Sequence, residues 1–306
     1  MNTTTFPTAL PIACASDAEW LEARRSFVGA SESPTILGVG YRESSAAGIW
    51  ESKVFGSGGP PPAPELKLRI GKAKEPLMRQ LFTEATGRAC EPPAAMAYRH
   101  KAFPFVGCSL DGEAIDSEHG RCPVELKNVG AHNRKLWEGP APPLQYAAQV
   151  QHQLFVTGAA VGYLFGLVAD EETYCFPVYA DSEFHAVLRE QLAKFWASVE
   201  SKTMPPLDES EATGRMLARL YPQDTGELIS LPPESIAWAD EREAAKLAAK
   251  EAEARVTAVE NQIKNAMGAA AYGLVPDGRR FSWLTSEVKG YTVKARTQRT
   301  LRISKG

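Results

Sequence analysis

Apolar and polar residues recur along this chain with several periods, and the changes of period divide it into elements. Ser16-Asp-Ala-Glu19 has the form of a capping box, and Trp20 and Leu21 behind it predict a short helix to Arg25. Ser33-Pro34 predicts a second helix, closed by Gly38. The run "GSGGPPPAPE" (56–65) reads as a flexible or polyproline-like loop. A helix is predicted from about Glu65 to Thr86, with Gly87 as its stop. Between Tyr98 and Val129 the period falls to two, which predicts strands. Pro142-Pro143 opens a helix over "LQYAAQVQHQLFVT", and Gly158 ends it. "AVGYLFGLVA" and "TYCFPVYA" then read as strands joined by a turn at Asp170-Glu-Glu-Thr173, and Asp181 caps the helix "SEFHAVLREQLAKFWASVES".

Beyond Lys202 the texture changes. "MPPLDESEATG" and "YPQDTGELISLPPES" are linker-like, and between about Ser235 and Ala271 lies a long charged, Ala-rich helix whose apolar stripe is Leu247, Val256, Val259, Ile263 and Met267. The tail "RRFSWLTSEVKGYTVKARTQRTLRIS" is strand-rich, and its basic end suits DNA or a protein partner. The long helix suits packing or oligomer contacts better than a DNA arm. A domain boundary is expected near residue 205, giving domains 1–205 and 206–306, and the chain has no internal repeats.

With 44% hydrophobic and 23% charged residues the composition is that of an ordinary globular protein. No apolar run approaches the roughly 20 residues of a membrane helix. No secretory leader is legible at the N-terminus, and five scattered Cys without a C-x-x-C suggest reduced thiols in a cytoplasmic protein. The net charge of −3 argues against nonspecific coating of nucleic acid, but not against a local basic channel.

The candidate chemistry sits in "CPVELKNVG" (122–130), where Val124 and Leu126 face one way and Glu125 and Lys127 the other. Upstream, "FVGCSLDGEAI" (105–115) also alternates, and the turn-like "DSEHGR" between them suggests an antiparallel hairpin. If the register sets Asp111 against Glu125 or Lys127, all three share a face; a slip of one residue separates them. Asp111, Glu125 and the Leu126 carbonyl would then offer hard oxygen ligands to Mg²⁺, with Lys127 beside a phosphate or the attacking water. Such ions polarise a phosphodiester and activate water. By themselves these residues fit a solvated, charged hairpin equally well. Two further features lie nearby. One is Glu75 at the start of "GKAKEPLMRQLFTEATG"; the other is the row Gln145, Gln149 and Gln153, which recurs every four residues with Tyr146 alongside. Ser31 and Ser33, just before a helix, with Arg24 or Arg25, could hold an anion. Lys67, Arg69, Lys72, Lys74 and Arg79 could steer DNA, with Arg134 and Lys135 touching its backbone.

Arg24-Arg25 with "FVGASES", "GKAKEP", "SLDG", "ELK" and "YAAQVQ" follow one another in that order. Over roughly residues 17–200 the chain resembles the YqaJ viral recombinase family, the lambda-exonuclease-like branch of the PD-(D/E)xK nucleases. Two points of the pattern are its own: "LDG" stands for "PDG", and Tyr146-x-x-Gln149 replaces the Gln-x-x-x-Tyr of RecB-like relatives. The resemblance implies an α/β, restriction-endonuclease-like core with a central mixed sheet, and a C-terminal accessory region. It implies Mg²⁺, or Mn²⁺ in its place, on Asp111, Glu125 and Leu126, with Lys127 serving the hydrolytic water. Glu75 would be a further acid of the site, Tyr146 and Gln149 its helix pair, and Arg25 (or Arg24) with Ser31 the seat of a 5′-phosphate. The implied activity is digestion of linear duplex DNA from 5′ ends, leaving 3′ strands for a single-strand annealing protein, by a ring-shaped homotrimer. A related endonuclease or branched-DNA nuclease, or a non-catalytic DNA-end-binding module, are the competing readings.

Overall fold

The computed structural model describes residues 5–40, 43–56, 66–287, 290 and 301, the side chain of Lys67 aside. The expected loop at 57–65 and most of the basic tail beyond 287 lie outside the described residues. The chain forms two compact units, Met1–Leu220 and Tyr221–Gly306.

The first unit is built on a five-stranded sheet. Its strands are β2 (Cys90–Glu91), β5 (Gly112–Asp116), β6 (Gly120–Val129), β7 (Val161–Val168) and β8 (Glu172–Tyr179), in the order β2-β5-β6-β7-β8. Only β6 and β7 run parallel. A parallel pair needs a crossover, and α5 (Leu144–Thr157) supplies it. Every residue of β7 is buried, as its unbroken apolar run "VGYLFGLV" requires of a strand covered on both faces. On one face lies α4 (Leu66–Thr86), whose Met78 and Phe82 pack against Val124, Leu126, Tyr163 and Phe165. On the other, Val150 and Leu154 of α5 join Leu188 and Leu192 of α6 (Ser182–Glu200) over Leu164, Val168 and Val178. A smaller sheet joins β1 (Ala9–Ile12), β3 (Ala97–His100) and β4 (Gly107–Cys108) and packs on α5, while α2 (Ser33–Ile36) packs on α5 and α6, and α3 (Ala46–Phe55) on α6 and on α1 (Asp17–Arg25).

Three expectations are modified. The run 105–115 is not one strand: Gly107–Cys108 pairs with β3, whereas Gly112–Asp116 pairs with β6. The first residue of each strand is a glycine in close contact: a Cβ at Gly107 would lie 2.6 Å from the Phe27 ring and one at Gly112 would lie 2.6 Å from Cys90 Sγ. The face of Glu125 and Lys127 is not solvated, because α5 covers it and Glu125 is only 2% exposed. Finally, the first unit extends past residue 205. Asp208 accepts from Ser210 N–H and Thr213 Oγ1 at the head of α7 (Glu211–Leu220), which packs on α3 with Met216 fully buried and Arg219 paired to Glu51.

The second unit contains α8 (Ser235–Met267), a single helix of 33 residues, and the hairpin β9 (Tyr272–Leu274) with β10 (Arg280–Ser282). Among the described residues no helix is long and apolar enough to cross a membrane, and none of the five cysteines is in a disulfide.

Candidate active site

The β5–β6 register pairs Gly112 with Val124, and one step further it sets Asp111 opposite Glu125. Asp111 thus stands where the chain crosses from the small sheet to the large one, and its Oδ2 accepts the Leu126 N–H at 2.9 Å, a backbone donor freed by the end of the ladder. Glu125 and Lys127 point toward α5. There Gln149 and Gln153, one helical turn apart, meet the two oxygens of Glu125: Gln149 Nε2 donates to Oε1 at 2.7 Å and Gln153 Nε2 to Oε2 at 2.5 Å. Lys127 Nζ donates to the same Oε1 at 2.5 Å and to Gln149 Oε1 at 3.0 Å, and it lies 5.2 Å above the Tyr146 ring.

These groups border a cleft of about 550 Å³. Its opposite wall is α1 and the turn behind it. Trp20 donates from Nε1 to Ser109 Oγ at 2.9 Å and carries the Arg24 guanidinium 4.9 Å above its ring, and Arg24 Nη2 donates to Ser31 Oγ at 3.3 Å. Beneath them Glu32 accepts from Gly29 N–H and from the buried Lys53, whose ammonium also donates to the Arg24 carbonyl. Burial lowers the pKa of Lys53, and Glu32 opposes that shift. The roof is α4, with Leu68, Lys72 and Glu75 along the cleft. Lys72 reaches Asp17 at 3.6 Å, Lys74 pairs with Asp170 and Asn128, and Arg79 donates to the Asp111 carbonyl at 2.8 Å.

Burial dominates the electrostatics of the site's carboxyls. Burial raises the Asp111 carboxyl well above its ordinary range, and the neighbouring Glu125 raises it further. Glu75 is also raised, first by burial, against the pull of Arg79. Among the described residues no three His, Cys, Asp or Glu side chains are arranged to hold a metal ion. The donor set nevertheless fits a hard divalent cation. It offers two carboxylates, Asp111 and Glu125, with the Leu126 backbone next to Asp111 and Glu75 bordering the same cleft, and such ions keep several waters. In this structure Lys127 supplies the positive charge at Glu125.

The structure therefore gathers Glu75, Asp111, Glu125, Leu126, Lys127 and Gln149 in one cleft with Arg24 and Ser31. Other expected members stand apart. Arg25 pairs with Glu22 and packs over Gly56. Ser33 is fully buried and donates to the Ala30 carbonyl, while Glu32 occupies the cap position of the very short α2, so no serine N-cap faces an anion there. Arg134 is held by Glu171 and Glu172. Tyr146 stays within reach of Lys127 but packs on Trp137. Sequence reasoning gave no place in the site to Trp20 or Ser109. The four-residue glutamine row marked Gln153 as one of three; only packing tells which of them reach Glu125.

Compared with known proteins, residues 19–160 match the model of the YqaJ-like viral recombinase domain. Over that stretch the chain is similar to the YqaJ-like domain. No curated protein matches it. Among solved structures, the alkaline exonuclease LHK-Exo from Laribacter hongkongensis superposes with a TM-score of 0.50 at 19% identity, over 67% of this chain and 100% of that one. LHK-Exo in complex with dAMP gives a TM-score of 0.49 at 20% identity, over the same shares. A phage-related exonuclease from Haemophilus somnus 129PT gives 0.43 at 11% identity, over 57% of this chain and 96% of that one. The first superposition establishes the fold, a restriction-endonuclease-like core with a mixed sheet between helices.

Proposed function

We propose that this YqaJ-like protein is a Mg²⁺-dependent exonuclease that digests linear duplex DNA from 5′ ends and leaves 3′ single strands for phage-type recombination. A homotrimer handing its product to a single-strand annealing protein belongs to the same reading. The supporting observation is the meeting in one cleft of opposed Asp111 and Glu125, Lys127, and the Arg24–Ser31 pair on the facing wall. A divalent cation bound at Asp111, Glu125 and the Leu126 carbonyl would supply polarisation of the scissile phosphate. The chain's own groups do the rest. Gln149 and Gln153 hold the Glu125 carboxylate from both sides, so its orientation is set before substrate arrives. Lys127, already hydrogen-bonded at the centre, brings a mobile positive charge to the phosphate or to the attacking water. Arg24, steadied over Trp20, offers a planar fork to a terminal phosphate beside the Ser31 hydroxyl.

The test is degradation of end-labelled linear duplex, with and without a 5′-phosphate and with Mg²⁺ present or chelated, beside a covalently closed circle. The wild type should cut the linear substrate only with the cation and prefer phosphorylated ends, Lys127→Ala should be inactive, and the circle should survive. Cutting of the circle indicates the endonuclease reading, and end binding without hydrolysis indicates a non-catalytic module.

A further inference from the structure

Helix α8 runs 33 residues, about 50 Å at 1.5 Å per residue, and not one of its residues is buried. Val256 and Val259 are more than half exposed, as is Trp238 near its start. Ala245, Ala249, Ala252, Val256, Val259 and Ile263 follow one another at steps of four, three, four, three and four. That is the 3.5-residue period of a left-handed coiled-coil seam rather than the broader stripe of a helix lying on a domain. Leu247 falls outside it. With Val256 at position a and Val259 at d, the flanking positions g and e hold Glu241 and Lys246, then Arg255 and Glu260. In a parallel, in-register pair each g residue faces the e residue five positions on in the other strand, so both sets join opposite charges. Reversing one helix over the same span brings Glu253 against its own copy. Arg242 is the polar member of the seam, the kind of residue that pins register at some expense of stability. Six acidic and five basic side chains along the helix leave no positive excess for DNA.

We propose that α8 pairs with the α8 of other copies of this chain as a parallel, in-register coiled coil. Ala245, Ala249 and Ala252 make the middle of the seam small and Val256, Val259 and Ile263 make its last part β-branched, which brings the helices close mid-way and interlocks them beyond. Association through this helix does not involve the cleft in the first unit; a monomer would overturn both this proposal and the homotrimer of the nuclease reading, whereas equal cross-linking at the two positions overturns this proposal alone.

The experiment uses the full chain. Val256→Cys lies on the seam and Thr257→Cys on the outer face one residue later; both are treated with oxidised glutathione beside the wild type, which controls for the native thiols, with circular dichroism to confirm folding. Val256→Cys should give several-fold more inter-chain disulfide than Thr257→Cys, and Val256→Glu with Ile263→Glu should lower the sedimenting mass. Equal cross-linking at the two positions, or a wild type that sediments as a monomer at every concentration, overturns the proposal.

Discussion

Gln153 gives the most discriminating test of the site. Its amide is fully buried, and Nε2 donates to Glu125 Oε2 at 2.5 Å, while among the described residues its Oε1 has no hydrogen-bond partner. Gln153→Met keeps the length and nearly the volume but removes both amide atoms. Losing a donor to a carboxylate destabilises by about 1.5–3 kcal/mol, whereas removing a buried, unsatisfied acceptor returns about 1–3 kcal/mol. The two nearly cancel. Net stability should therefore change by less than about 2 kcal/mol, which in a unit of this size moves Tm by no more than roughly 4–8 °C. Catalysis has no such compensation. Glu125 would keep Gln149 and Lys127 on Oε1 but lose the Gln153 amide on Oε2, freeing the carboxylate to rotate. Loss of a residue that orients a metal-binding carboxylate typically costs about 10–100-fold in activity or metal affinity. The assay is single-turnover cutting of end-labelled duplex at a temperature where both proteins are folded, with the Mg²⁺ concentration varied and Tm measured in parallel. Reduced kcat or a raised Mg²⁺ requirement with near-native Tm is the expected result. Wild-type cutting with an unchanged Mg²⁺ requirement refutes the clamp.

Gly166 lies opposite Lys127 in the β6–β7 register, and a Cβ there would fall 2.3 Å from Trp137 Cζ3 inside the core; Gly166→Ala should cost about 1–3 kcal/mol in a urea titration, and Trp137→Leu in the same chain should recover part of it. Arg24→Ala should leave cutting of unphosphorylated ends intact and abolish the preference for 5′-phosphorylated ones, measured as the ratio of initial rates. His152 is fully buried with Nε2 on the Gly107 carbonyl, and burial lowers its pKa from 6.5 to about 3. The unfolded chain therefore binds the proton more readily between those values, so the stability present above pH 6.5 is lost as pH falls. About 2 kcal/mol should go between pH 8 and pH 5 from this residue alone, and His152→Gln should flatten that acid limb in urea titrations.

How much of this was legible beforehand follows from which interactions are local. Capping at Ser16 and Asp181, the glycine stops at 87 and 158, and the uninterrupted apolar run of β7 are matters of neighbouring residues, and the elements formed where those signals predict. The alternation around Glu125 set which side chains share a face, and the candidate core of the site, Asp111 with Glu125 and Lys127, could be named from it. What alternation could not contain was the environment of that face. A carboxylate two residues from a lysine looks the same on paper whether water or a helix covers it, and only the crossover of α5 brings Gln149 and Gln153 onto Glu125. The same limit applies to Arg25, Ser33 and Arg134, which the structure places outside the cleft, beside Glu22, the Ala30 carbonyl, and Glu171 with Glu172. It also explains the split at 105–115, where the two halves pair with different strands, β3 and β6, from distant parts of the chain. Sequence determined periodicity and donor type, because those are short-range; tertiary packing decided which donors are desolvated, opposed and already taken, because that depends on contacts between residues far apart along the chain.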